Sequence, residues 1–199
     1  MRKTDQARWD DRYADSSPDD VGVASVWLTQ HIARISPGYA LDIACGKGRH
    51  SIFLAQQGFD VDAVDVSPVG INLAQRAAQS SGVGQSMGSI TWHCQDLLET
   101  TRLPRQEYQL IVMSYFIAAD LLARLPGYLA TGGWLLVEEH MCWHTPVAGP
   151  SSDKFRVSPG ALLRVLSNCN VEIAAQSEGL VERPGQPPYA LSRLLVRRV

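Results

Sequence analysis

The sequence predicts an α/β fold: a mostly parallel, seven-stranded sheet with helices on both faces and a C-terminal antiparallel hairpin. Three observations carry that reading. Short apolar, β-branched runs alternate with helical patterns along most of the chain, as parallel strands joined by crossover helices require. Residues 40–65, ALDIACGKGRHSIFLAQQGFDVDAVD, form one complete strand–turn–helix–strand unit with glycines in its turn. The last two strand-like runs are separated only by Arg183-Pro184-Gly185-Gln186-Pro187-Pro188, with no helix between them, so they pair antiparallel.

Taken in order, a helical run over 26–35 precedes a first strand over 40–45. The small-residue turn Cys45-Gly46-Lys47-Gly48 leads into an amphipathic helix over 49–57, with Ile52, Phe53 and Leu54 as its apolar part. A second strand over 61–66 delivers Asp65, and Asp62 on the same strand is expected to be exposed. Ser67 is an N-cap and Pro68 a first helical residue, opening a helix over 68–80. Strands follow near 89–94, 109–114 and 133–140, with a helix over 118–129 before the last of these. The run TPVAGPSSD, 145–153, reads as a loop, followed by a helix over 159–167 and strands near 171–182 and 190–198.

A chain of 199 residues with 45% hydrophobic content is expected to form one domain with a packed core. Its net charge is −2, and Arg193, Arg197 and Arg198 alternate with apolar residues instead of forming the clustered basic face that nucleic acid needs. No apolar run is long enough to span a membrane. The start, MRKTDQARWDDRY, lacks the apolar centre of a secretory leader, so a cytoplasmic location is expected. Cys45, Cys94, Cys142 and Cys169 are scattered, with no C-x-x-C pair, and read as buried thiols in a reducing compartment.

The turn at 42–48 reads Asp-x-Ala-x-Gly-x-Gly. A dinucleotide fingerprint asks for a third glycine, and a pyrophosphate is a poor partner for a turn entered by the Asp42 carboxylate. A cationic ligand suits it better. S-adenosylmethionine (SAM) carries a sulfonium and an ammonium beside its adenosine. The segment resembles motif I and the following acid of the class I SAM-dependent methyltransferases. That resemblance implies a Rossmann-like class I methyltransferase fold, SAM as cofactor and S-adenosylhomocysteine (SAH) as product.

The resemblance also implies roles. The backbone of Ala44, Cys45, Gly46 and Gly48, behind Asp42, passes along the methionine part of SAM. The family usually has glycine at Ala44, and alanine costs little there if its φ is negative. Asp65 accepts both ribose hydroxyls, with Val66 and Ser67 beside it; the alternative is an acid favoured by the helix N-terminus that follows. Gln95, Asp96 and Leu97 meet adenine, with Asp96 receiving the amino group; a strand-end Asp is otherwise a turn former. Met113, Ser114 and Tyr115 reach the mouth of the site, core packing being the rival for Met113. Gln109 stands where the family's fourth-strand motif has an acid. Trp9-Asp10-Asp11-Arg12-Tyr13 matches the W-D-x-R-Y segment of small bacterial methyltransferases of the tellurite-resistance type, which folds over SAM as a lid. Trp9, Arg12 and Tyr13 are its site residues, and Trp9 and Tyr13 share one helical face. The alternative is a helix packed on a sheet edge. Residues 155–162 resemble the F-x-L-x-P-G-E-L stretch of these relatives, with Ala161 in place of Glu.

Methyl transfer is an in-line displacement, so positioning supplies much of the rate, and a base is needed only if the nucleophile must lose a proton. His140, Cys142 and His144 alternate, so an extended chain places them on one face. Three readings stand: metal ligands, pocket residues with His140 as base, or residues of a half-buried strand. No metal is expected. Tyr13 and Tyr115 are further candidates for orienting an acceptor. His50 is expected to face SAM or solvent, and His93 to point out of one sheet face. The expected partner is a small-molecule methyl acceptor, with no nucleic acid or membrane, and the protein is expected to be a monomer or homodimer. A non-catalytic SAM- or SAH-binding sensor or partner subunit is the alternative, kept open by Ala44, Gln109 and Ala161. An NAD-type oxidoreductase is disfavoured by the missing glycine and by Asp42.

Overall fold

A computed structural model describes residues 3–83, 88–99, 102–183 and 185–199, with the backbone alone at residues 3, 4 and 183. Pro184 of the predicted hairpin loop and residues 1–2 of the N-terminal run lie outside the described residues. The chain divides into two compact units, residues 1–112 and 113–199.

The first unit holds α1 (Lys3–Ala14), α2 (Val26–His31), β1 (Tyr39–Ile43), α3 (Arg49–Gln56), β2 (Asp60–Asp65), α4 (Pro68–Ser80), β3 (Ile90–Cys94) and most of β4 (Tyr108–Ser114). Its strands lie in the order β3-β2-β1-β4, and the β1–β2 and β2–β3 pairs are parallel. The chain steps outward from β1 to β3 and then returns to the other side of β1. The carboxyl end of β1 is therefore the topological switch point, where ligands of open α/β sheets bind. After their first residues, β1 and β2 are buried throughout, including Asp42, Asp62 and Asp65.

Helix boundaries follow local chemistry. The Ser67 hydroxyl accepts from Gly70 N–H at 3.0 Å and Pro68 begins α4, as the sequence predicts. The helix expected over 26–35 is α-helical only to His31 and ends in a 3-10 turn over Ile32–Arg34.

Burial corrects several expectations. Of the four cysteines only Cys45 is buried: Cys94, on the edge strand, is exposed, and Cys142 and Cys169 are half-buried. Asp62 is 2% exposed, because β2 lies inside the sheet and neither face reaches water. Its carboxylate pairs with Arg105 at 2.8 Å and His93 Nε2 at 2.9 Å, and accepts from the Tyr108 hydroxyl at 3.2 Å. His93 thus points from the sheet onto this acid. His50 does not face solvent: it is buried, and its Nε2 accepts the Ser25 amide at 3.2 Å, tying the start of α2 to α3. Burial pushes its pKa down to about 3, so the ring is neutral.

The second unit holds the end of β4, α5 (Ala119–Arg124), β5 (Leu129–His140), α6 (Ala161–Leu166), β6 (Val171–Arg183) and β7 (Gln186–Arg198). β7 lies between β5 and β6 and is antiparallel to both. The hairpin is tighter than expected, since Pro187 and Pro188 belong to β7 instead of the loop. They sit at the strand's start, where a missing N–H is tolerated. Pro188 still contributes its carbonyl, which accepts from Ala148 N–H at 2.9 Å. Seven strands, mostly parallel and ending in an antiparallel pair with helices between, make up the predicted fold class.

Candidate functional site

The turn after β1 is built by backbone hydrogen bonds. Cys45 N–H donates to Val64 of β2 at 3.0 Å, and Gly48 N–H closes the turn onto Cys45 at 2.9 Å. Gly48 has φ +84°, and a Cβ there would lie 2.8 Å from the Trp92 ring and 2.9 Å from Ala74. Trp92 was not singled out by sequence, because a strand aromatic carries no local sign of what it packs on. Ala44 corrects an expectation: its φ is +54°, in the left-handed region that L residues avoid. The conformation that makes glycine usual here is present, and alanine adopts it under strain.

Asp65 holds the turn from the end of β2. Its Oδ2 accepts Gly46 N–H and its Oδ1 accepts Ser67 N–H, both at 2.8 Å. A carboxylate has about four lone-pair positions, so each oxygen keeps one for a further donor. Burial pushes the Asp65 pKa up, against the pull of these amides. Asp42 is 1% exposed and accepts the Ser51 hydroxyl of α3 at 2.6 Å. Burial raises its pKa to about 7, so the charge argued for this position from sequence is only partly present near neutral pH.

The N-terminal helix docks on the same turn. Trp9 and Tyr13 stack at 5.7 Å, with the Arg12 guanidinium 5.3 Å from the Trp9 ring centre. A Cβ on Gly46 would meet the Tyr13 hydroxyl at 2.7 Å, and one on Gly70 would meet the Tyr13 ring at 2.9 Å. The Ser67 hydroxyl, already capping α4, donates to Asp10. Burial, then the nearby Asp65, hold the Tyr13 phenol protonated. Gly70 was missed because a helical glycine reads only as a weak helix former until its aromatic neighbour is known.

At the end of β3, Gln95 N–H donates to the Asp65 carbonyl at 2.9 Å, bringing residues 95–97 beside Val66. Asp96 accepts Leu98 N–H at 2.8 Å, the turn-forming bond weighed for it from sequence, and Leu97 is buried.

In the second unit, Met113 is buried and Tyr115 adopts φ +57°. The Tyr115 amide donates to the Glu138 carbonyl and its hydroxyl to Glu138 Oε1, both at 2.9 Å. Phe116 N–H donates to Glu139 Oε1 at 2.9 Å. Both acids are buried, and burial raises the Glu139 pKa to about 8, opposed by the Phe116 amide and helped by Glu138. His140 stacks on Tyr115 at 4.6 Å and leans on Tyr189 at 5.3 Å. The alternation of His140, Cys142 and His144 does not continue as a strand. β5 stops at His140, Cys142 N–H bonds Val157, and the His144 ring lies 5.1 Å from Trp143. Among the described residues no group of three His, Cys, Asp or Glu could hold a metal ion.

Residues 40–133 match the family model described as "Methyltransferase domain". No curated protein matches the chain in sequence. Among solved structures, the chain is similar to TehB from Haemophilus influenzae, at 20% identity and a TM-score of 0.70, over 86% of this chain and 61% of that one. The chain thus spans about three fifths of the length of that structure. A SAM-dependent methyltransferase from Methanosarcina mazei matches at 18% identity and TM-score 0.67, over 88% of this chain and 99% of that one. Magnesium protoporphyrin IX methyltransferase from Synechocystis, with SAH bound, matches at 17% identity and TM-score 0.62, over 100% of this chain and 85% of that one. The backbone is therefore that of the class I methyltransferase fold, and residues 40–133 are similar to the methyltransferase-domain family.

Proposed function

We propose that the chain, as a single domain, transfers a methyl group from SAM to a small-molecule acceptor. The observation that carries this reading is Asp65, which draws the Gly46 and Ser67 amides together and keeps one acceptor position on each oxygen. That is what two adjacent ribose hydroxyls need. In this reading Asp42, Ala44, Cys45, Gly46 and Gly48 form the turn along the methionine part. Val66, Ser67, Gln95, Asp96 and Leu97 surround the adenosine, with Met113, Ser114 and Tyr115 further along the cofactor. Trp9, Arg12 and Tyr13 cover the turn. His140, Tyr115 and Tyr13 are the residues proposed to orient the acceptor. The acceptor atom attacks the methyl carbon opposite sulfur, the S–C bond breaks, and its electron pair leaves with neutral SAH. The protein works as a monomer or homodimer without nucleic acid or membrane. Among the described residues no helix is long and apolar enough to cross a membrane.

Calorimetry with SAH and with NAD, followed by methyl release from labelled SAM against thiols, oxyanions and amines, tests the proposal. SAH binding with turnover of one acceptor class supports it. Binding without turnover leaves a sensor, and NAD binding in place of SAH overturns it.

A further inference from the structure

The segment between β5 and α6 is long, yet its backbone is tied at several points. Its neck is a parallel bridge between Met141 and Val157: Val157 N–H donates to the His140 carbonyl at 2.8 Å, and Cys142 N–H returns to Val157 at 2.9 Å. Arg156, beside the neck, donates to the carbonyls of Pro150 (2.8 and 3.0 Å), Met141 (3.1 Å) and Ala148 (3.2 Å). Trp143 and Val147 pack on the buried cluster of Met141, Val157 and Ala190. Ala148 bridges to Tyr189 of β7.

The consequence falls on His140. One ring face stacks on Tyr115, and Tyr189 leans on the ring. Gly149 closes its edge: a Cβ there would lie 2.6 Å from Cε1 and 2.8 Å from Nδ1. Gly149 also has φ +103°, a conformation held by the carbonyl bonds of Arg156 on either side of it. The loop is thus shaped around the imidazole.

We propose that residues 141–157 form a clamp that sets the orientation of His140, with Gly149 and Arg156 as positioning residues for the methyl acceptor. The clamp's role in turnover rests on the function proposed above; its mechanical claim does not. Gly149 acts by having no side chain, so the Cε1–Nδ1 edge of the ring can sit against the backbone. Arg156 acts by gathering carbonyls on both sides of Gly149, a task its planar multidonor group performs and a single ammonium performs less well.

The test is the His140 imidazole resonance in the full chain, read in Gly149→Ala, Arg156→Met and Arg156→Lys. Stacking on Tyr115 places its Cε1 proton upfield of an exposed histidine. In G149A and R156M that resonance should move toward the exposed position, while His50 and His93 stay in place as internal reports of folding. R156K should move it less than R156M. An unmoved His140 in folded G149A or R156M overturns the clamp. If G149A does not fold, R156M and R156K decide alone. In steady-state assays the same variants should change acceptor KM and kcat at least ~10-fold with SAH affinity unchanged. A moved resonance with unchanged turnover would keep the clamp and remove His140 from the acceptor's site. Loss of SAH binding in the wild-type chain would instead remove the proposed function and leave the resonance result standing.

Discussion

The turn around Gly46 and the cluster around His140 are assembled in opposite ways. Gly46 and Asp65 are 19 residues apart and meet across one strand–helix–strand unit, through backbone amides and a carboxylate. His140 gathers Tyr115, Gly149 and Tyr189 from separate parts of the second unit, through ring faces and a loop. A site made of backbone amides tolerates most side-chain changes but no change in conformation. A site made of side chains is free to vary in what it accepts. Under the proposed function the first unit specifies the methyl donor and the second the acceptor, and substitutions should separate the two.

The largest effect is expected at Asp65. Asp65→Ala removes the acceptor of the Gly46 and Ser67 amides and both positions proposed for the ribose. Hydrogen bonds to a charged group contribute about 1.5–3 kcal/mol each. SAH affinity should fall by ~100-fold or more by calorimetry. His140→Ala should instead leave SAH affinity within about threefold and lower kcat/KM for the acceptor by ~100-fold, the lower end of the range of a proton-transfer group. Equal losses of SAH affinity in both variants would erase the distinction between donor and acceptor halves.

This contrast also explains what the sequence could tell. The seven strands, the glycine turn, Asp65 and the α4 cap are local patterns, and a parallel sheet places a strand-end acid beside the preceding turn without further instruction. Asp62 was misread because the alternation of Val61, Asp62 and Ala63 looks like one wet face. The acid is buried among Arg105, His93 and Tyr108, partners from β3, β4 and the segment before β4 that periodicity cannot reveal. The same holds for Gly149 and Tyr189. Nothing near either residue in sequence points to His140, since the neck at Met141 and Val157 forms only when the loop closes.

Asp62 tests whether burial of charge in the first unit serves folding alone. Asp62→Asn keeps the volume but takes the ion pair from Arg105 and leaves weaker acceptors for His93 and Tyr108. Arg105 is partly exposed and recovers some hydration, so the expected loss is about 2 kcal/mol in urea unfolding, below that of a fully buried pair. SAH affinity of the folded variant should not change. A large loss of affinity would make Asp62 part of the donor half.

Glu139 supplies a pH-dependent comparison. Its folded pKa, about 8, lies above the ordinary 4.5, so the native state holds a proton that the unfolded chain releases. Its contribution to stability is full below pH 4.5 and is lost as pH rises toward 8, at a limit of about 1.4 kcal/mol per pH unit. Asp42 acts in the same direction up to about pH 7, and His50 opposes both between about 3 and 6.5. Glu139→Gln retains an acceptor for Phe116 N–H and removes the titration. Between pH 5 and 8 the variant should lose at least ~1 kcal/mol less stability than the parent chain, measured by urea unfolding. Parallel pH profiles would place the Glu139 carboxyl in a wetter setting than its burial indicates.

The smallest effect is expected at Ala44, where the two halves invite the sharpest comparison. Ala44 and Tyr115 are the two non-glycine residues with positive φ among those described, one at the end of β1 and one at the end of β4. For an L residue the left-handed region costs about 1–2 kcal/mol, and glycine enters it freely but gives up more unfolded-state entropy. Ala44→Gly should therefore stabilise the chain by only ~0.5–1 kcal/mol in urea, with SAH affinity unchanged or raised by at most a few fold. Tyr115→Gly relieves the same kind of backbone strain but removes the hydroxyl bonded to Glu138 and the ring stacked on His140, so it should destabilise. Opposite signs at two residues of the same φ would show that strain at Ala44 is incidental to its turn, whereas strain at Tyr115 is maintained by the contacts its side chain makes. A gain in stability at both positions would mean that the Tyr115 contacts contribute less than the strain they accompany.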